Sequence, residues 1–342
     1  MMKQLSIGVI GCGKIAQRRH LPEYAANEHV KIIAVCDKDE ERARAIAEQY
    51  GATAYTDYHS LLAHEELDAV SVCLPNVLHA PVSIAALEAG KHVLCEKPMA
   101  VSEQEAVAMI EASERSGKLL MIGHNQRLML PHQKAKEVLA SGLLGKVLTF
   151  RTAFGHGGPE NWSVEGAGGW FFQKSQAFIG AMGDLGVHKT DLIRYLLGEE
   201  IVEVGAFVGT LQKQNTDVDD NAVCILRTAS GIFGTLAASW TYKPSEDNST
   251  VFYCEKGILR LIDDPDYNVV VELENGERTL YEIGRVATNE KQTESGVIRS
   301  FVGHILEGTQ PDISGKEGMK SLKVIFAALE SSATGKFVKI NG

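Results

Sequence analysis

Cysteine is scarce in this 342-residue sequence: Cys12, Cys36, Cys73, Cys95, Cys224 and Cys254 are dispersed and no Cys-x-x-Cys pair occurs. That pattern argues against a disulfide framework or a zinc site; no metal is expected. Four of the six sit in or beside apolar runs, where a free cysteine acts as a small buried hydrophobe. Basic charge is also short, with 34 Lys and Arg against 44 Asp and Glu and a net charge of −10, which excludes a phosphate-gripping nucleic-acid binder. Aromatics make up 7% and are scattered apart from Trp170-Phe171-Phe172, so there is no base-stacking platform. No apolar run is long enough to span a bilayer, and because the chain enters a strand at Leu5 no signal peptide is expected. A soluble, cytoplasmic protein is expected, with neither membrane nor nucleic acid as partner.

What is present is regular. Leu5 to Ile10, Val30 to Cys36, Ala69 to Leu74, His92 to Cys95 and Leu119 to Ile122 read as strands. Helical stretches lie between them, with Gly51, Gly90 and Gly117 where C-terminal caps belong. This alternation predicts a doubly wound parallel sheet. After Gly123 the texture changes to closely spaced strands between Lys146 and Tyr281, with helices at 131–140, 184–197, 294–307 and 316–334. Short connections predict a large, mainly antiparallel sheet. The expected class is α/β in two domains, residues 1–123 and 124–342.

Gly11-Cys12-Gly13-Lys14-Ile15-Ala16 follows the first strand and opens a helix. Gly11 permits the tight turn, Gly13 lets a pyrophosphate approach the backbone, and Ala16 lets the helix pack on the sheet. Lys14 and Ile15 join these cofactor contacts. Asp37 ends the second strand, where a carboxylate binds ribose hydroxyls and repels a 2′-phosphate. NAD is therefore the expected cofactor, with NADP left open by Lys38 and Arg42 nearby. Leu74, Pro75, Asn76 and His79, after the third strand, are expected to face the cofactor; a capping Asn and a surface His are the plainer reading.

Lys97, in Glu96-Lys97-Pro98, follows the next strand. Ligands of such sheets bind outside the carboxyl ends of the strands, which puts Glu96 and Lys97 at the crevice. Farther on, Asp184 and His188 are spaced i, i+4 and share a helix face, so the carboxylate can orient the imidazole and raise its basicity. Asp191 adds to that field. A helix-terminal charge with a packed histidine, or a metal pair lacking further ligands, are the other readings of this stretch.

Gly11-x-Gly13-x-x-Ala16, Asp37, Asn76-x-x-His79, Glu96-Lys97-Pro98 and Asp184-x-x-x-His188, in this order and spacing, resemble the Gfo/Idh/MocA oxidoreductases over essentially the whole chain. The resemblance implies an N-terminal Rossmann domain and a C-terminal α/β domain whose open sheet builds dimers or tetramers. It implies that Lys97, Asp184 and His188 act together, as in inositol dehydrogenases, with the proton transferred by His188. It also implies a cis Lys97–Pro98 bond, and places Gly123-His124-Asn125-Gln126-Arg127 beside nicotinamide and substrate. One departure stands out: the glycine triplet usual before Asp184 is reduced to Gly180, preceded by Phe178-Ile179.

Together these features predict an NAD-dependent dehydrogenase acting on a secondary alcohol of a cyclic polyol or sugar, an inositol above all. His188 is the expected base, Asp184 its orienting partner and Lys97 the group that hydrogen-bonds the reacting oxygen. His188 and Lys97 can exchange roles. His124, Asn125, Arg127, His156, Asn161, Trp170 and Asp184 are expected to line the cleft, the tryptophan stacking on a ring and the others meeting hydroxyls. His156, Asn161 and Trp170 would alternatively belong to a loop used in subunit contacts. Arg127 is the one cation in the set available to an anionic substrate. The rivals are a redox-assisted sugar lyase or glycosidase with retained NAD, and a non-catalytic sensor of the same fold.

Overall fold

The structure, a computed structural model, describes residues 4–284 and 294–341. Chain contacts divide them into two compact units: residues up to Asn125 with Trp162–Trp170 and 294–319, and the remainder.

The first unit is built on six parallel strands: β1 Leu5–Ile10, β2 Val30–Cys36, β3 Thr53–Tyr55, β4 Ala69–Val72, β5 His92–Cys95 and β6 Leu120–Ile122. Their order is β3-β2-β1-β4-β5-β6, so the direction of winding reverses between β1 and β4. Such a reversal opens a crevice at the carboxyl ends of the strands. The central strands are buried on both sides, with Ile7, Val9, Val70, Val72, Val93 and Leu94 fully enclosed, as helices on both faces require. Strand β3 and the short helix Tyr58–Leu62 are absent from the sequence reading, because each is too short to show a period. The helix after β1 contains a π-turn, Ala16–His20, which brings Arg19 and His20 inward; both are buried.

The second unit carries nine strands: β7 Val147–Gly155, β8 Ile201–Gly209, β9 Asn221–Thr228, β10 Phe233–Ser239, β11 Thr250–Cys254, β12 Gly257–Leu261, β13 Val269–Leu273, β14 Arg278–Tyr281 and β15 Val338–Lys339. They run in the order β14-β13-β12-β11-β7-β10-β9-β8-β15, antiparallel except for the β7–β10 pair. Alternation along β9 is strict. Ala222, Cys224 and Leu226 are buried, while Val223, Ile225 and Arg227 are exposed. The buried face packs against the segment that begins with a second π-turn, Met182–Gly186, and continues as the helix Val187–Leu197; Cys224 Sγ lies 3.9 Å from Met182 Sδ.

Candidate functional site: a nucleotide turn and a carboxylate–histidine helix

In the first unit the glycine turn is shaped as the sequence requires. Gly11 has φ +93°, and a Cβ there would sit 2.2 Å from the Cys73 carbonyl oxygen, so no other residue fits. A Cβ on Gly13 would meet nothing within 4 Å, which leaves its backbone open to a pyrophosphate. Asp37, at the end of β2, is buried and accepts hydrogen bonds from Cys12 N–H at 2.8 Å and Asp39 N–H at 2.9 Å. Arg42 reaches both of its carboxylate oxygens at 3.3 Å. A rigid acidic group at this strand end, beside an open glycine turn, fits the adenosine half of NAD.

Lys97 is half-buried after β5, and the Lys97–Pro98 bond is cis. Glu96 is buried within a polar chain: Oε1 accepts from His20 Nε2 at 2.8 Å and from Arg19 at 3.3 Å, and His20 Nδ1 lies 2.9 Å from Ser71 Oγ, itself 2.8 Å from Tyr24 Oη. Burial alone would push the Glu96 carboxyl up, but His20 and Arg19 overcome it and hold the group down at about 2. The turn after β6 packs here too, since a Cβ on Gly123 would lie 3.1 Å from the Glu96 carboxylate. His124 and Asn125 follow, both buried.

His79 has neighbours within its own unit: Nδ1 lies 2.7 Å from the Pro98 carbonyl oxygen and Nε2 2.8 Å from that of Leu74, so the ring braces the turn after Lys97. The Glu96 carboxylate is likewise engaged by its own unit, including Lys97 N–H at 3.3 Å. Asn76 is buried at the start of the short helical turn Asn76–Leu78, and Leu74 and Pro75 are half-buried before it.

In the second unit Asp184 lies within the π-turn and His188 in the helix that follows, each 8% exposed. Asp184 Oδ2 accepts from the indole N–H of Trp240 at 3.1 Å. The Phe154 ring neighbours two histidines, its centroid 5.8 Å from that of His188 and 6.1 Å from that of His156. His156 is buried, and its Nδ1 accepts from Gly158 N–H at 3.0 Å. Neither Trp240 nor Phe154 carried a motif in the sequence.

The shortened glycine stretch has a specific accommodation. Gly180 is indispensable, since a Cβ would lie 1.8 Å from the Asp219 carbonyl oxygen. The Asp219 carboxylate accepts from Gly180 N–H at 2.7 Å and Met182 N–H at 2.8 Å, anchoring the start of the segment that carries Asp184. Phe178 takes φ +65° and packs edge-on against Phe326, while Ile179 is buried.

The Arg127 guanidinium binds Asp191 through two 2.6 Å hydrogen bonds, both side chains buried. Trp170, in the first unit, is half-buried with its backbone N–H 3.4 Å from the Glu165 carboxylate; Asn161, in the second, is exposed. Among the described residues no three metal-binding side chains are gathered to hold an ion. All six thiols are buried, and burial raises every one of them.

Residues 5–124 match the Gfo/Idh/MocA oxidoreductase family, NAD-binding Rossmann fold, and residues 132–260 match the Gfo/Idh/MocA C-terminal domain. The chain belongs to the Gfo/Idh/MocA family. Its similarity to levoglucosan dehydrogenase of Pseudarthrobacter phenanthrenivorans is 31% identity, covering 70% of this chain and 68% of that protein. Myo-inositol 2-dehydrogenase of Thermotoga maritima is 29% identical, covering 98% of both. Among solved structures, levoglucosan dehydrogenase in complex with NADH and levoglucosan superposes with TM-score 0.86 at 26% identity, covering 99% of this chain and 100% of the other. As a Gfo/Idh/MocA protein, the chain is an NAD(P)-dependent oxidoreductase of a family whose members act on sugars and polyols. The Rossmann half supplies the NAD-binding residues, and the α/β class expected from the sequence is the observed one.

Proposed function

We propose that the protein oxidises a secondary alcohol of a neutral cyclic polyol or sugar, an inositol above all, with NAD. The observation that carries this reading is the disposition of the buried cations in the second unit: Arg127 is bound to Asp191, and Lys189 donates to the Asn248 carbonyl at 2.7 Å. Cations held by the protein itself do not favour a phosphate or carboxylate on the substrate. Buried Asp184 would repel one.

The glycine turn and Asp37 hold the cofactor, which when bound accepts the hydride. His188 takes the hydroxyl proton, Asp184 orients it, and Lys97 hydrogen-bonds the reacting oxygen. His156, His124, Asn125 and Trp170 supply hydroxyl partners and a stacking surface. In this reading residues 1–123 bind NAD, while 124–342 bind substrate and form the oligomer. The partner face is the exposed side of the sheet, where Phe207 pairs with Val223, Ile225 lies two residues along the same strand, Phe233 pairs with the next exposed residue, Arg227, and Phe207 is 85% exposed. A patch of this kind marks an interface, here a second copy in a homodimer or homotetramer. No helix among the described residues is long and apolar enough to cross a membrane. The buried, unbridged thiols suit a reducing cytoplasm.

The dehydrogenases and reductases among the relatives favour net hydride transfer over a lyase with retained NAD or a silent sensor. A panel of inositols, free aldoses and sugar phosphates, followed by NADH absorbance, tests the reading. Steady NADH accumulation with an inositol or neutral sugar is expected. A KM for a sugar phosphate far below that for every neutral ring would overturn it.

A further inference from the structure

Trp240 is fully enclosed, yet its one polar atom is aimed at a carboxylate already assigned to the reaction. It follows directly on β10, its backbone N–H donates to the Asp220 carbonyl at 2.8 Å, and its ring packs edge-on against Phe172 at 5.7 Å and Phe171 at 6.4 Å. These contacts fix the indole plane. The N–H then reaches Asp184 Oδ2 at 3.1 Å. Asp184 is held from its other end as well. Its backbone N–H donates to the Gly180 carbonyl at 2.9 Å, and Gly180 is anchored by Asp219, two residues before β9. Strands β9 and β10 pair with Asn221 opposite Ser239, so one pair of strands supplies both restraints.

We propose that Trp240 is a positioning residue for the oxidation: its indole N–H sets the direction of the Asp184 carboxylate, and through it the alignment of His188. The proposal rests on Asp184 serving the reaction as described above. A tryptophan suits the task because its indole N–H donates and cannot accept, so it favours the ionised carboxylate and leaves the second oxygen for another partner. Phenylalanine at this position keeps most of the aromatic packing and removes only the donor.

The sequence has three tryptophans, so the indole region of a ¹⁵N spectrum of the full chain should show three resonances. They are assigned by single Trp162→Phe and Trp170→Phe variants, which avoids dependence on the folding of Trp240→Phe. Asp184→Asn should shift the Trp240 resonance and leave the other two in place. Trp240→Phe should lower kcat roughly 10- to 100-fold, the range of one hydrogen bond to a charged group, with KM for NAD within about twofold. The double variant should fall no further than Asp184→Asn alone, because both changes act through one carboxylate. An unmoved Trp240 resonance, or losses that add in the double variant, would overturn the proposal. Wild-type turnover in Asp184→Asn would remove Asp184 from the reaction, and the positioning role with it. That result is told apart from failure of the contact by a Trp240 resonance that still moves.

Discussion

His20 Nε2 lies 2.8 Å from Glu96 Oε1, which joins the helix after the glycine turn to the residue preceding Lys97. With Glu96 held ionised at about 2, His20 must be the donor in this contact. The two motifs are thereby tied together inside one unit, and the tie has consequences in acid.

A carboxyl held below its unfolded value stabilises the fold above the unfolded pKa, and that contribution disappears as pH falls through the folded one. For Glu96 the window runs from the ordinary 4.5 down to about 2. Glu96→Gln should be less stable at pH 7 and lose less stability between those limits. Urea midpoints across the window test this; parallel wild-type and variant curves would refute it.

Lys189 titrates in the opposite sense. Burial pulls its ammonium from 10.5 to about 7, against the partial support of Asp247 and Glu246. Folding is therefore penalised below pH about 7, and the penalty lifts as pH rises toward 10.5. Lys189→Met should abolish that rise. A variant whose stability still climbs over this range would assign the climb to other groups.

Cofactor choice turns on Asp37 and Arg42. Asp37→Ala removes the charge that repels a 2′-phosphate and frees the Arg42 nitrogen that lies 3.3 Å from both of its carboxylate oxygens, while the other stays with Asp39 at 3.2 Å. The ratio of kcat/KM for NADP to that for NAD should rise about tenfold or more, equivalent to about 1.4 kcal/mol. Wild-type enzyme that already prefers NADP tenfold would count against this account.

Replacing Lys97 or His188 by alanine should cost turnover and spare cofactor binding. The expected loss is ~10²–10⁴-fold in kcat. NADH fluorescence on binding should stay normal. Near-full kcat in His188→Ala at every pH would make that histidine structural and give the base role to Lys97.

The parallel sheet and the nucleotide turn were legible because local rules decide them: an apolar strand, a glycine that must take positive φ, an acidic residue at the next strand end. What escaped were partners set by tertiary packing. Trp240 is 56 residues from Asp184 and Asp191 is 64 from Arg127, so no local pattern announces either pair. The surroundings of His79 are hidden in the same way, since the carbonyls beside it belong to turns five and nineteen residues away.

Both motif-bearing helices begin with a widened turn, Ala16–His20 and Met182–Gly186. A widened turn holds one residue more than the α-helix around it. Removing a single residue from either would let the helix rewind as plain α-helix with its two flanks still in phase, while the residues inside the turn lost the widened backbone that places them. Such a chain would keep its core and strand pairing while His20, or Asp184 relative to His188, faced elsewhere. Related sequences should therefore tolerate substitutions across these turns far better than a change of length.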